Sequence, residues 1–560
     1  MKRIYQLFFL ILGSAYLGAQ GLQYDPNFKP FYHGVASGDP FEDRVIIWTR
    51  ITPDTQTTIY GNYIMARDTG LREVVRSGEF ETDQSKDFTV KIDVTGLSPN
   101  ATYYYSFTAL GKRSQVGRTK TSPSPNDPNL EGQLRFAVVS CANLEGGYFN
   151  AYRKISERND LDAVIHLGDY FYEYEPGGYR NVQLTDTNRN NFPPKELLRL
   201  EDYRLRYSQY HLEPELMNLH KQHPFILVWD DHEFANDSYV DGAENHQPNE
   251  GSWEQRKKEA RQAFYEWLPV RGEPDQGQLY RSISYGQLMD LFMLDTRIEG
   301  RDKQPDAFDS PEDTLHPRKI MSNVQFNWLL EGLKNSKARW KAIGNHVIFS
   351  DLNVGFAASD PTDHDQIAAF ENLFLDSWEG YLLQRNALID SIRKYGLANT
   401  VLLSGDSHCS WAFDVTRQPV LYPLPQYGNL PQPNPYNPAT GQGYNEENGE
   451  GSVGVEFCTP SISAANFAEE LGSDSIAAIF EFFINKPIPF FPGNPNYNPH
   501  MKYVDLDRHG YMIFDVHGDS VQADFYYIPT VTSRGTEEYW GHGVSSRTLS
   551  NHISNTATLK

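Results

Sequence analysis

Apolar and polar positions alternate in short runs through residues 31–121, most clearly in 44–50 (RVIIWTR), 88–94 (FTVKIDV) and 103–107 (YYYSF). Period-two runs separated by turn residues predict half-buried strands. Gly96-Leu97-Ser98-Pro99 supplies a turn just before the tyrosine run, so residues 28–121 are expected to form an all-β sandwich. Residues 119–132 (TKTSPSPNDPNLEG) read as a linker. The pattern then changes. Apolar strands alternate with segments of helical spacing at 148–159, 253–267, 323–335 and 381–394, which predicts sheets covered by helices. This second unit is placed at 133–530, and residues 531–560 are left as a C-terminal extension. Two stretches rich in Pro, Asn and Gly, 418–451 and 486–500, are expected to be long loops.

Composition narrows the class. The chain has 560 residues, 39% of them hydrophobic, with 34 Tyr and 32 Phe, enough for a large folded core. A formal net charge of −23 argues against a nucleic-acid or anionic-membrane surface. It leaves an anionic substrate open, because bound cations reverse a local field. At the start, Lys2 and Arg3 precede an apolar run at 7–17 and the small residues Gly18-Ala19. This order reads as a cleavable signal peptide, residues 1–20, with cleavage near Gln20. The run is shorter than the roughly 20 apolar residues of a membrane-spanning helix. The expected destination is periplasmic or extracellular, and since Lys2-Arg3 is not an Arg-Arg pair, the general secretory route is expected. Cysteines are three: Cys141, Cys409 and Cys458. Cys409 follows one predicted strand and Cys458 lies in another (453–457), so an exported chain is expected to pair them.

The chemistry sits where apolar strands end. Residues 136–140 (FAVVS) end at Cys141. Residues 163–168 (AVIHLG) end at Asp169, with Tyr172 three further on. Residues 225–229 (FILVW) end at Asp230-Asp231-His232-Glu233, and 400–405 (TVLLSG) at Asp406, with His408 two on. Open α/β sheets place ligands at the carboxyl ends of their strands. Acids, imidazoles, a phenol and a thiol gathered there repel one another and lose solvation unless a cation compensates. Each fragment alone is weak; four in this order point to a metal centre.

Gly168-Asp169-x-x-Tyr172, Asp231-His232, Asn345-His346 and Gly405-Asp406-x-His408 resemble the metallophosphoesterase superfamily. The particular forms Ser140-Cys141-Ala142-Asn143, Trp229-Asp230-Asp231-His232-Glu233 and Gly405-Asp406-Ser407-His408 resemble its alkaline phosphatase D (PhoD) family. So do His33-Gly34-Val35-Ala36-Ser37-Gly38-Asp39-Pro40 and Trp48-Thr49-Arg50 near the start, and Asn498-Pro499-His500 with Gly510-Tyr511 near the end. The resemblance implies four layers, with two sheets flanked by helices, behind a fibronectin-III-like sandwich. It implies that Cys141, Asp169, Tyr172 and His408 hold a ferric ion (Fe3+), and that Asp169 bridges to a second centre completed by Asp231, Asp406 and His346. Carboxylates at that centre suit Ca2+, whereas the His346 imidazole, where the family more often carries Gln, would suit Zn2+ or Mn2+. His232 would be the general acid, and Asn143, Arg297 and His500 are candidate phosphate contacts.

The implied activity is hydrolysis of phosphate esters through two-metal activation of water, with His232 protonating the leaving oxygen. Two other readings stay open: a phosphodiesterase or phospholipase built on the same centre, and a secreted binding protein without catalysis.

Overall fold

The computed structural model describes residues 21–560 apart from 56, 125–132, 182, 185, 187–188, 277, 309, 311–314, 359, 361–362, 422–431, 490–495, 555–556 and 558–560. The expected signal peptide, most of the linker and parts of both long loops therefore lie outside the described residues.

Three short strands, Leu134–Val139, Ala163–His166 and Pro224–Leu227, pair in parallel. All but Arg135 are buried, as in a parallel sheet covered on both faces. Gly510–Val516 pairs antiparallel beside the first of them, followed outward by Ser520–Tyr527, Tyr539–Arg547 and Ile553–Ser554. The last two lie in the segment read from sequence as an extension, and they complete this side of the sheet. On the other side Val35–Gly38 pairs in parallel with Pro224–Leu227, and Arg44–Arg50 and Thr89–Thr95 follow. The ten-stranded sheet thus runs without a break into the front β unit. That unit's other sheet is Val74–Thr82, Ile59–Ala66 and Thr102–Ala109 with two short strands. Between the two sheets lies an apolar core that includes Val45, Ile47, Met65, Tyr105 and Phe107.

A second mixed sheet of seven strands carries Met289–Met293, Trp340–Gly344, Thr400–Ser404 and Ser452–Cys458 as its parallel centre. The two large sheets pack face to face through one apolar cluster that joins Phe136 and Val138 to Tyr285, Leu403 and Phe457. Helices cover their outer faces. Trp253–Trp267 and Asn323–Asn335 begin at Ser252 and Ser322, whose hydroxyls accept from the Gln255 and Gln325 amides, as helix N-caps do. This is the four-layer architecture expected, behind an all-β N-terminal region.

The expected disulfide is not formed: Cys141, Cys409 and Cys458 are all free and buried. The strand registers explain this, since Cys458 lies opposite Trp411 rather than Cys409. The Cys409 thiol meets the Leu506 carbonyl at 3.7 Å instead.

Candidate metal centre and active site

The carboxyl ends of the parallel strands of both sheets meet at one place. Gly168, at φ 104°, makes the approach possible: a Cβ there would come within 2.5 Å of the Asp230 amide nitrogen. At Gly405 a Cβ would lie 2.9 Å from that of Ser140. These glycines let four strand ends close, in two pairs, to contact distance. Buried Glu233 then ties two of them together, accepting from the Asp230, Tyr170 and Asp169 amides at 2.8, 2.7 and 3.2 Å.

Donors gather on both sides of Asp169. On one side, ligand atoms of Cys141, Asp169 and His408 lie within 4.8 Å of one another. The Tyr172 hydroxyl joins them, 3.1 Å from Asp169 Oδ2 and 3.0 Å from His408 Nε2. His408 Nδ1 donates to the Ala465 carbonyl at 2.6 Å, which fixes the tautomer and turns the Nε2 lone pair inward. On the other side, Asp169, Asp230, Asp231 and Asp406 offer carboxylate oxygens within 4.8 Å of one another. Asp231 belongs as well to an adjoining acidic group with Asp237 and Asp376.

Without compensation this arrangement is expensive. Burial, reinforced by the neighbouring carboxylates, pushes Asp169, Asp406 and the Cys141 thiol well above their ordinary pKa values. Among the described residues, buried Asp169 Oδ1, Asp230 Oδ2 and Asp231 Oδ1 have no hydrogen-bond partner, although buried polar atoms are nearly always paired. Orphaned oxygens, a thiol, a phenol and an inward imidazole make a donor set that fits cations.

Arg297 supplies part of the missing charge. Its fully buried guanidinium pairs with Asp230 and Asp376, and its Nη2 stands 3.7 Å from Asp231 and 3.6 Å from Asp406, without a hydrogen bond. His346 stands at the edge of the second group: its Nε2 meets the Leu294 carbonyl at 2.8 Å, while its Nδ1 lies 3.4 Å from Asp230 without a hydrogen bond among the described residues. Asn143 is occupied at both ends, donating to the Tyr179 carbonyl and accepting from the Glu145 amide. His500 stacks on Phe413 and meets the Asp351 carbonyl at 2.8 Å. No hydrogen bond or ion pair among the described residues joins it to the donors.

His232 is set differently from His408. Its Nδ1 lies 2.7 Å from Glu173, whose other oxygen accepts from the Asn236 amide and the Asn245 side chain. Burial would favour neutral imidazole, but Asp231, Glu173 and Asp169 outweigh it and raise the His232 pKa well above 6.5. Burial holds His408 down to about 4. The two imidazoles are thus pushed in opposite directions, as suits an acid and a ligand respectively. The sequence pattern did not single out Glu173 or Asp230. Glu173 lies next to Tyr172 in the GDYFYEY run, and Asp230 next to Asp231, but nothing in a linear pattern says which way adjacent acids point.

Beside these donors a cavity of about 190 Å³ opens between Asp406, Ser407 and His408 and an apolar wall of Ile348, Leu373 and Phe374.

Comparison with known proteins agrees with this arrangement. Residues 136–525 match the PhoD-like phosphatase family, and residues 18–123 match the N-terminal domain of PhoD-like phosphatases. The chain is 32% identical over 536 residues to alkaline phosphatase D of Bacillus subtilis (strain 168), covering 93% of this chain and 81% of that protein. A solved structure of PhoD superposes with a TM-score of 0.76 at 28% identity, covering 95% of this chain and 93% of that one. The chain belongs to the PhoD-like phosphatase family and is a phosphoric ester hydrolase.

Proposed function

We propose that this hydrolase holds Fe3+ on Cys141, Asp169, Tyr172 and His408 and Ca2+ on Asp169, Asp231 and Asp406, and that it cleaves phosphate esters with His232 as general acid. The observation that carries the reading is the pair of donor groups sharing Asp169, whose Oδ1 is left unsatisfied between them. Thiolate and phenolate are strong anionic donors for a ferric ion, and a centre of carboxylates suits a hard, oxygen-preferring ion. The imidazole that would favour zinc or manganese, that of His346, has its Nε2 on the Leu294 carbonyl and leaves only Nδ1 on the side of the carboxylates. Bound there, the cations supply Lewis-acid polarisation of the phosphoryl group and acidify a water molecule.

The chain's own residues do the rest. Arg297 Nη2 offers a fixed donor to a phosphoryl oxygen, in a site where such a donor needs no reorganisation. Glu173 holds the Nδ1 edge of His232, so Nε2 is the nitrogen presented to the departing oxygen. The protonated ring gives up that proton as the ester bond breaks. Export by the general secretory route, with removal of residues 1–20, is the accompanying reading. No helix among the described residues is long and apolar enough to cross a membrane.

The cavity beside Asp406 and His408 favours the related reading of phosphodiester cleavage, because its apolar wall can receive a second ester arm. Rates on bis-p-nitrophenyl phosphate against p-nitrophenyl phosphate separate diesterase from monoesterase.

The central test is His232→Ala. It is expected to retain both metals while the rate falls by roughly 10²–10⁴. The loss should be larger for alkyl phosphates than for p-nitrophenyl phosphate, whose leaving group needs less protonation. Equal losses across leaving groups would remove His232 from the acid role.

A further inference from the structure

The side of the site on which the acid stands is walled by tyrosine rings. Tyr172, fully buried, lies 4.1 Å from the His232 ring. Tyr174 follows at 5.5 Å, tilted by 58°, and Tyr179 stands 5.9 Å from Tyr174 and 6.5 Å from His408. Tyr174 and Tyr179 are half-buried, packed against Tyr172 and each other, so the rim next to His232 is partly aromatic. The loop that carries them is braced. The Tyr174 carbonyl accepts from Arg206 and Asn191, and the Gly177 amide donates to Glu145 at 2.8 Å. The Tyr179 carbonyl accepts from Asn143 at 2.7 Å, and its hydroxyl donates to Glu470 at 3.0 Å. Gly177, at φ 85°, turns the chain back between the two tyrosines. Rings held in this way lose little freedom when a ligand stacks on them.

We infer that Tyr174 and Tyr179 form the leaving-group subsite, and that the preferred substrate is the phosphate ester of an uncharged alcohol carrying a planar ring. The inference rests on the acid role proposed for His232. The departing oxygen must reach His232 Nε2, so whatever is attached to it passes along the surface flanking that ring. The charges that act on the two rim hydroxyls are acidic, Glu173, Asp231, Glu244 and Asp237 at Tyr174 and Glu470 at Tyr179, while buried Arg206 is turned to the Tyr174 carbonyl. An anionic leaving group is repelled there, while an aromatic face is attracted by stacking. The apolar cavity of Leu373 and Phe374 borders Asp406 and His408 instead, which makes it the competing place for a ring.

The test compares benzyl phosphate with ethyl phosphate on the metal-loaded enzyme. The two alcohols are close in acidity, so demand on the acid is similar and the ring is the main difference. The ratio of kcat/KM, benzyl over ethyl, is expected to be roughly tenfold or more, the size of one stacking interaction. Tyr174→Leu and Tyr179→Leu should each bring the ratio down severalfold, while Tyr174→Phe, which keeps the ring, should preserve it. A ratio near one in the unaltered enzyme overturns the inference. So does a ratio that survives both leucine variants, or one abolished by Phe374→Ala alone. His232→Ala should slow both esters alike and leave the ratio standing. Failure of the acid role would instead show in the comparison of alkyl with p-nitrophenyl phosphate, a separate measurement.

Discussion

Cys141, Asp169, Asp406 and His408 all adopt left-handed backbone torsions, with φ of 60°, 54°, 60° and 58°. Such conformations cost non-glycine residues on the order of 1–3 kcal/mol each and collect where a site demands a particular side-chain direction. Four in one donor set mean that the fold spends stability to aim these groups inward. The sequence exposed these four because each directly ends an apolar run or stands two beyond it. It assigned no role to Glu173 or Glu233 and read Arg297 only as a candidate phosphate contact, since what these residues hold depends on contacts reaching across 59 to 79 residues of chain. His346, which the resemblance assigned to the second centre, presents only Nδ1 toward Asp230 of that group, its Nε2 being taken by the Leu294 carbonyl. Cys141→Ser gives a direct test at this scale. A thiolate brings a full negative charge to the cation, whereas a serine hydroxyl remains a neutral, weaker donor. Metal analysis of the purified variant is expected to show the first ion lost and the second retained. Full iron content and full activity would make Cys141 a core residue.

Helices with an apolar buried face were legible, and a helix whose buried face is polar-tipped was not. The segments 253–267 and 323–335 were read from their spacing and coincide with Trp253–Trp267 and Asn323–Asn335. Leu200–His211 escaped because its buried face, Tyr203, Arg206, Tyr207, Tyr210 and His211, is made of basic and polar-tipped aromatic side chains that leave no apolar stripe in the sequence. This helix carries His211, whose ring stacks at 5.1 Å on His220 of the next helix, Pro214–Gln222, and lies 3.2 Å from the Tyr170 hydroxyl. Burial holds His211 down to about 3, against about 6.5 in the unfolded chain. Below about pH 6.5 the unfolded state therefore binds a proton that the folded state refuses, and stability falls as pH drops toward about 3. His211→Gln removes that term. Relative to the unaltered protein, the variant is expected to lose about 2 kcal/mol less stability between about pH 7 and pH 5. Denaturant unfolding of both proteins at the two pH values measures it, and a stability difference independent of pH would exclude His211 as the source.

Over the whole molecule, the sequence read a sandwich tethered by a linker, whereas the structure joins the two units through one continuous sheet. Alternating strands reveal that a sheet exists but not which edge it offers, and the pairing of Val35–Gly38 with Pro224–Leu227 had no local signal. Asp39, within the motif that suggested the family, fastens this seam. Fully buried, it accepts from the Arg271 amide at 2.7 Å and from Arg281 Nη2 and Nε at 2.6 and 3.1 Å, while its own amide donates to the Phe225 carbonyl at 2.9 Å. Trp48 Nε1 donates to the Glu266 carbonyl, and Lys91 donates to those of Tyr265 and Gly272. With the sheet shared and these groups engaged across it, neither unit can open without stranding buried polar atoms of the other. A single unfolding transition is expected, with tryptophan fluorescence and far-ultraviolet circular dichroism giving one midpoint. Asp39→Ala would leave half-buried Arg281 without its carboxylate, held only by the Leu227 and Leu279 carbonyls, at a cost of about 3 kcal/mol, the low end for a broken buried pair. For a chain of this size that corresponds to a fall in Tm of roughly 3 °C, shared by both probes. An early, separate melting of the β unit in the unaltered protein would show that the seam does not couple the two, and an unshifted Tm in Asp39→Ala would show that Asp39 is not what holds it.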